Sequence, residues 1–153
     1  MGDLIYILAG RNSGGKPVLE GVPAVERGPR RFRLSASPGL AQGAAADDEI
    51  ELADDGSFEV IERGGNLAVQ VLVADRFDER LVGELIVQVE ALGGRLDGGE
   101  DRLRVFTIPV SAGFAPVESV FNAFIARQSG AEWLFGNVYD PDDGITPLNW
   151  WAD

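Results

Sequence analysis

From Leu67 onward the chain alternates two periodicities in a fixed order, and that order narrows the fold more than any other feature. Leu67 to Ala74 (Leu-Ala-Val-Gln-Val-Leu-Val-Ala) is apolar and rich in valine, the make-up of a central strand. Phe77, Leu81, Val82, Leu85, Val89 and Leu92 then follow at spacings of 4, 1, 3, 4 and 3, which is one face of an amphipathic helix. Asp75 is placed to cap that helix, with Asp78 and Glu79 near its start, and Gly93-Gly94 supplies a left-handed stop. Arg95-Leu96-Asp97 leads into a turn at Gly98-Gly99-Glu100-Asp101, and Leu103 to Val110 is a second strong strand. Pro116 suits the first turn of another helix, whose apolar face is Val117, Val120, Phe121, Phe124 and Ile125 and which ends at Gly130. Glu132 to Tyr139 closes the series as a strand. Strand, helix, strand, strand, helix, strand is the ferredoxin-like, split βαβ order.

The first 65 residues have another rhythm. Leu4 to Ala9 is an apolar run of strand length. Arg30 to Leu34 and Glu49 to Leu52 alternate charged and apolar residues, as half-buried strands do. Asp54-Asp55-Gly56 separates Glu49–Leu52 from a further alternating run, Ser57 to Ile61, and so predicts a β-hairpin. Pro38 to Ala46 reads as a turn or one helical turn. The expected fold is therefore α+β. A small β-rich unit, a bent sheet or barrel-like (1–65), precedes a ferredoxin-like βαββαβ unit (66–140) and a C-terminal tail (141–153), packed as one compact body.

Composition removes much of the usual chemistry. Among 153 residues there is no His and no Cys, which excludes imidazole-based catalytic triads and the common zinc, haem and iron–sulfur ligand sets. No GxxxxGK[ST], GxGxxG or GxSxG motif occurs. No cofactor and no metal is expected. With 13 basic against 25 acidic residues the formal charge is −12, the wrong sign for a nucleic-acid backbone or a polybasic membrane contact. The N-terminal apolar stretch is too short for a secretory signal and carries an acid where basic residues are needed. No run reaches spanning length. The expectation is a cytoplasmic protein whose charge favours a basic partner. The oligomeric state is left open.

Four groups of residues are candidate sites. Asp47 and Asp48, continuing into Glu49-Ile50-Glu51, and Asp54-Asp55 place several negative charges along one hairpin, which suits a basic protein; a charged edge that resists self-association is the plainer reading. Asp140-Pro-Asp142-Asp143-Gly144 departs from the EF-hand spacing, so an acidic turn is simpler than a cation site. Glu62-Arg63-Gly64-Gly65-Asn66 lies at the junction of the halves, where Arg63 and Asn66 are placed to bind an anion or polar ligand; the plainer reading is that Gly64-Gly65 makes a tight crossover and Asn66 bonds neighbouring backbone. Trp133 alternates with Phe135 and belongs in the core, while Trp150-Trp151 would pin the C-terminus.

Ala46-Asp47-Asp48-Glu49-Ile50, Asp55-Gly56, Arg63-Gly64-Gly65-Asn66, Leu92-Gly93-Gly94, Phe106-Thr107-Ile108-Pro109-Val110 and Trp133-Leu134-Phe135-Gly136-Asn137-Val138-Tyr139 together resemble a bacterial family, domain of unknown function 4265. The resemblance spans about Leu19 to Tyr139 and implies no activity. Two functional expectations remain. One is a non-enzymatic acidic binding module of the immunity type. It would neutralise a basic toxin by occlusion through Asp47, Asp48, Asp54, Asp55, Asp142 and Asp143. The alternative is a small-ligand or regulatory module with its ligand at the junction, near Arg63 and Asn66. A carboxylate-based enzyme ranks below both, because no pair of acids stands out.

Overall fold

The computed structural model describes residues 3–152; Met1, Gly2 and Asp153, which belong to the N-terminal and tail readings, lie outside the described residues. The architecture is α+β, built from two antiparallel sheets and two α-helices and mostly strand. The first sheet is a five-stranded meander of β1 (Asp3–Arg11), β2 (Pro17–Gly28), β3 (Arg31–Leu34), β4 (Glu49–Leu52) and β5 (Phe58–Glu62), paired in chain order. Alternation decides its inner face. Ile5, Ile7, Val22, Ala24, Leu34 and Ile50 point to one side and form a small core, while Leu4, Tyr6, Leu19 and Val25 stay exposed. The sheet is bent enough that the Leu8 N–H donates to the Gly56 carbonyl at 2.8 Å, tying the β4–β5 turn to β1. Gly56 has φ +91, and a Cβ there would lie 3.3 Å from the Leu8 backbone nitrogen of β1, so the turn needs glycine for its backbone and is helped by its small size beside β1.

Strand β2 has no counterpart in the sequence reading. Gly21, Pro23 and Gly28 interrupt its pattern, and Pro is normally kept out of inner strands. Pro23 is tolerated because its carbonyl accepts from the Ser35 N–H at 2.9 Å. Residue 23 therefore faces a position just past the end of β3, where a missing N–H costs no bond inside the ladder.

The second sheet contains β6 (Asn66–Val73), β7 (Arg95–Glu100), β8 (Leu103–Pro109) and β9 (Ala131–Phe135), in the order β7-β8-β6-β9. Helices α1 (Glu79–Ala91) and α2 (Phe114–Arg127) connect β6 to β7 and β8 to β9. Leu67, Val69, Val71 and Val73 of β6 meet Phe106 and Ile108 of β8 and the apolar helix faces in one core. Phe106 and Phe121 pack edge to face with centroids 5.4 Å apart. The cap of α1 is Asp78, which accepts from the Arg80 N–H at 3.0 Å, and not Asp75 as the sequence suggested. Phe77 is buried ahead of the first turn, so the helix begins later than its apolar pattern. Strand β7 runs on through Gly98-Gly99 with a bulge between Leu96 and Gly98, where a turn was expected, and β9 stops at Phe135 rather than Tyr139.

Replacing Phe106 by Ala should remove about 3–5 kcal/mol of stability, the usual cost of emptying a closed aromatic site. Urea unfolding of the variant beside the parent checks this.

Candidate functional site

The second face of β6 and β8 carries Ala68, Gln70 and Thr107, and all three are buried. What covers them is the β3–β4 connection. Pro38 to Ala46 is neither a helix nor a surface turn. Its buried members Ala41, Ala44, Ala45 and Ala46, with Gly43, run between the two sheets, and only small side chains fit such a gap. Loops usually avoid this position, because buried backbone groups need partners. Here side chains supply them. The Glu20 carboxylate of β2 accepts from the N–H groups of Gly39 at 2.6 Å, Leu40 at 3.0 Å and Ala41 at 2.8 Å. Gln70 donates to the carbonyls of Pro38 at 3.1 Å and Ala41 at 3.2 Å and accepts from Gln42 at 2.6 Å. Ser37 bonds Thr107 at 2.6 Å and accepts from the Ala46 N–H at 3.0 Å, while its own N–H donates to Asp97 at 2.8 Å.

At the end of this segment lies Asp48, only 1% exposed. Its carboxylate accepts from the N–H groups of Ala45 at 2.9 Å and Gly64 at 2.8 Å and from the Arg63 guanidinium at 3.3 Å. Arg63 also donates to the Gly43 carbonyl at 2.8 Å, and its guanidinium carbon lies 5.5 Å from the centroid of the Trp150 ring. Trp150 in turn donates to the carbonyl of Asn137 at 2.8 Å. Asn137 accepts from the Ala68 N–H at 2.9 Å and donates to the Asn66 carbonyl at 2.8 Å. Gly64 is required by contact: a Cβ there would lie 2.5 Å from the backbone of Asp47.

Burial pushes the Asp48 carboxyl above its ordinary value of 3.8; the two backbone donors and Arg63 pull the other way and do not cancel it. Burial likewise works against the Arg63 charge, which Asp48 restores in part. Among the described residues every buried side-chain polar atom has a hydrogen-bond partner.

The structure thus gathers Asp47, Asp48, Arg63 and Asn66 at the junction. Asn66 donates to the Ala46 carbonyl at 3.0 Å and to Asp47 at 3.1 Å. Asp48 is withdrawn from solvent, and its role is internal. The other acids sit elsewhere. Asp54 is exposed on the β4–β5 turn and pairs with Arg30 at 2.8 Å. Asp55, beside it, binds the N–H and hydroxyl of Ser57, and the hydroxyl holds its carboxyl below the ordinary range. Asp143 organises its own turn through Ile145 and Thr146, with the Thr146 hydroxyl lowering its carboxyl, and Asp142 is part of the same turn. No three acidic side chains among the described residues are placed to hold a metal ion, and no helix there is long and apolar enough to cross a membrane.

One acid, Glu59, was missing from the candidate residues of the sequence reading, and the register reveals it. On the antiparallel pair β4–β5, Glu51 stands opposite Glu59 and Glu49 opposite Glu62. The period-2 signal at Phe58 to Glu62 was present, but register is not written in one strand. Gln70 and Asn137 could have been found as polar residues inside apolar strand patterns.

The family model for a domain of unknown function (DUF4265) matches residues 20–133. The chain belongs to this family. A crystal structure of a hypothetical protein from Neisseria gonorrhoeae shares the fold with a TM-score of 0.67 at 16% identity, covering 89% of this chain and 94% of that one. No curated protein matches the chain.

Asp48→Ala should cost about 3–5 kcal/mol, because it leaves Arg63 half-buried without its partner. Asp48→Asn should cost less. The pH dependence has a definite sign. A folded-state value raised above the unfolded one means that the native state binds the extra proton, so stability rises as pH falls through the raised value toward 3.8. The parent should therefore gain on Asp48→Asn as pH drops from neutral to about 4. Denaturant midpoints of both proteins across that range would show parallel curves if Asp48 were unshifted.

Proposed function

We propose that this member of the family is a non-enzymatic acidic binding module of the immunity type, acting in the cytoplasm, that neutralises a basic toxin by occlusion through the β4–β5 hairpin. The observation that carries this reading is the pairing of like charges. Carboxylates set directly opposite one another destabilise a sheet, by about 0.2–1 kcal/mol for a pair. Glu51 and Glu59 form such a pair on the outer face, and Glu49 and Glu62 face each other beyond a bulge. The arginines of β3 balance only one side, Arg31 opposite Glu51 and Arg33 opposite Glu49. Asp54 at the tip is paired with Arg30, but with Asp55 beside it and Glu59 and Glu62 on its length, strand β5 is left with an excess of negative charge and a free edge. A partner presenting Lys and Arg relieves the repulsion, and the field of a −12 chain speeds its approach.

We also infer that the second sheet with its helices is a ferredoxin-like unit; the element order and the strand order β7-β8-β6-β9 support this. A small ligand at Arg63 and Asn66 has less support, because Nη1 of Arg63 is engaged by Gly43 and Asp48 and Nδ2 of Asn66 by Ala46 and Asp47.

Glu59→Lys separates this reading from plain solubility. It should raise the thermal midpoint, because repulsion becomes attraction, and it should abolish capture of the partner. The measurement is affinity capture from the strain that encodes the protein, at low and high salt. A basic toxic protein held at low salt, weakened at high salt and lost with Glu59→Lys is the expected result. Capture that survives both the substitution and high salt would overturn the proposal.

A further inference from the structure

Four strands lie at the edges of the two sheets, and three of them are more heavily guarded than the fourth. Strand β1 takes the Gly56 carbonyl on Leu8. Strand β5 carries Glu59 and Glu62. Strand β7 is overlaid by the β3–β4 connection through Asp97 and Ser37 and through Arg95 and the Ser35 carbonyl. Strand β9 is guarded only by one charge, Glu132, and its short length: its sequence, Ala-Glu-Trp-Leu-Phe, holds no Lys or Pro, and its pairing with β6 has no bulge.

The direction of its free groups follows from the register. Gly136 N–H donates to the Ala68 carbonyl at 2.8 Å, and Ala74 N–H donates to the Gly130 carbonyl at 3.0 Å. Hydrogen-bonded pairs alternate with non-bonded ones along an antiparallel ladder. With Val69 opposite Phe135, the even residues of β9 bond β6. Ala131, Trp133 and Phe135 therefore aim their N–H and C=O groups away from the sheet. Trp133 and Phe135 line a groove of about 540 Å³ whose walls include Glu118 of α2 and Leu134, Tyr139, Asp140 and Pro141. Leu134 and Tyr139 are 37% and 41% exposed. Every charged residue lining the groove is acidic, as is Glu132 on the strand itself.

We propose that β9 is a docking edge for an extended segment of a protein partner in which basic and apolar side chains alternate. The segment adds a strand to the sheet, its main chain bonding Ala131, Trp133 and Phe135. Side chains of an added strand alternate between the two faces, so its Lys or Arg side chains face Glu118 on the helix side, where Trp133 and Phe135 pack, and its apolar side chains cover Leu134 on the other side. A second copy of this chain fits the edge poorly, since it would set Glu118, Glu132 and Asp140 against their equivalents. The proposal stands apart from the hairpin reading, because β5 and β9 belong to different sheets.

The test is amide hydrogen exchange, read by NMR on the whole protein, with a short capped peptide of alternating Lys and Val as the probe. Exchange at Ala131, Trp133 and Phe135 should slow by about tenfold or more, a change of about 1.4 kcal/mol. A peptide N-methylated on alternate amides and an alternating Glu–Val peptide should have no effect. Glu118→Lys, an exposed change, should weaken the response, and Glu59→Lys should leave it intact. Unchanged exchange at the three amides, equal slowing by the acidic peptide, or slowing by raised protein concentration alone would each overturn the proposal.

Discussion

Peptide groups taken out of water must be paired inside the protein, and the stretch from Ser35 to Asp48 places that demand at the centre of this fold. It runs between the two sheets instead of over the surface. Each sheet has its own apolar core, so neither core by itself fixes how the two meet. What joins them is a set of hydrogen bonds to one irregular segment: Glu20 from the first sheet, Gln70, Thr107 and Asp97 from the second, and Asp48 at the segment's own end. Bonds of this kind are directional, so they select one mutual arrangement where apolar contact alone would allow several.

The charge on Asp48 is the costly part of the arrangement. A buried carboxylate is tolerated only with good partners, and the partners here come from three places in the chain. Ala45 belongs to the connection, Gly64 and Arg63 to the crossover between the sheets. Arg63 passes the constraint to Trp150 and so to the tail, where Trp151 packs on Phe114 with centroids 5.1 Å apart. The residues that resemble a binding site in sequence, Arg63-Gly64-Gly65-Asn66, thereby help to hold the molecule together through Nη1 of Arg63, the Gly64 N–H and Nδ2 of Asn66. The proposed binding surfaces lie at the periphery, on strands β5 and β9.

Much of the second half was legible in the sequence. Helical and strand periods are local, and the spacing from Phe77 to Leu92 needs no knowledge of the rest of the chain. The tail tryptophans and the core position of Trp133 followed from the same local logic. Strand β2 did not, because Gly21 and Pro23 are acceptable only once the length of β3 is known. The β3–β4 connection did not either. Pro, Gly and Ala between Pro38 and Ala46 signal a turn, and nothing local says that two sheets will close over it. The site was legible only as residue types. Asp47, Asp48, Arg63 and Asn66 do gather, but the bonds they make are with backbone groups distant in sequence, and the opposition of Glu51 to Glu59 depends on register.

Native-state hydrogen exchange across the β3–β4 connection tests this account most directly. If the connection is part of the core, the amides of Gly43, Ala45, Ala46 and Gly64 exchange only when the whole molecule unfolds, together with those of β6 and β8. If those four amides exchange freely while β6 and β8 stay protected, the segment is an ordinary loop, and the sheets are held together by something else.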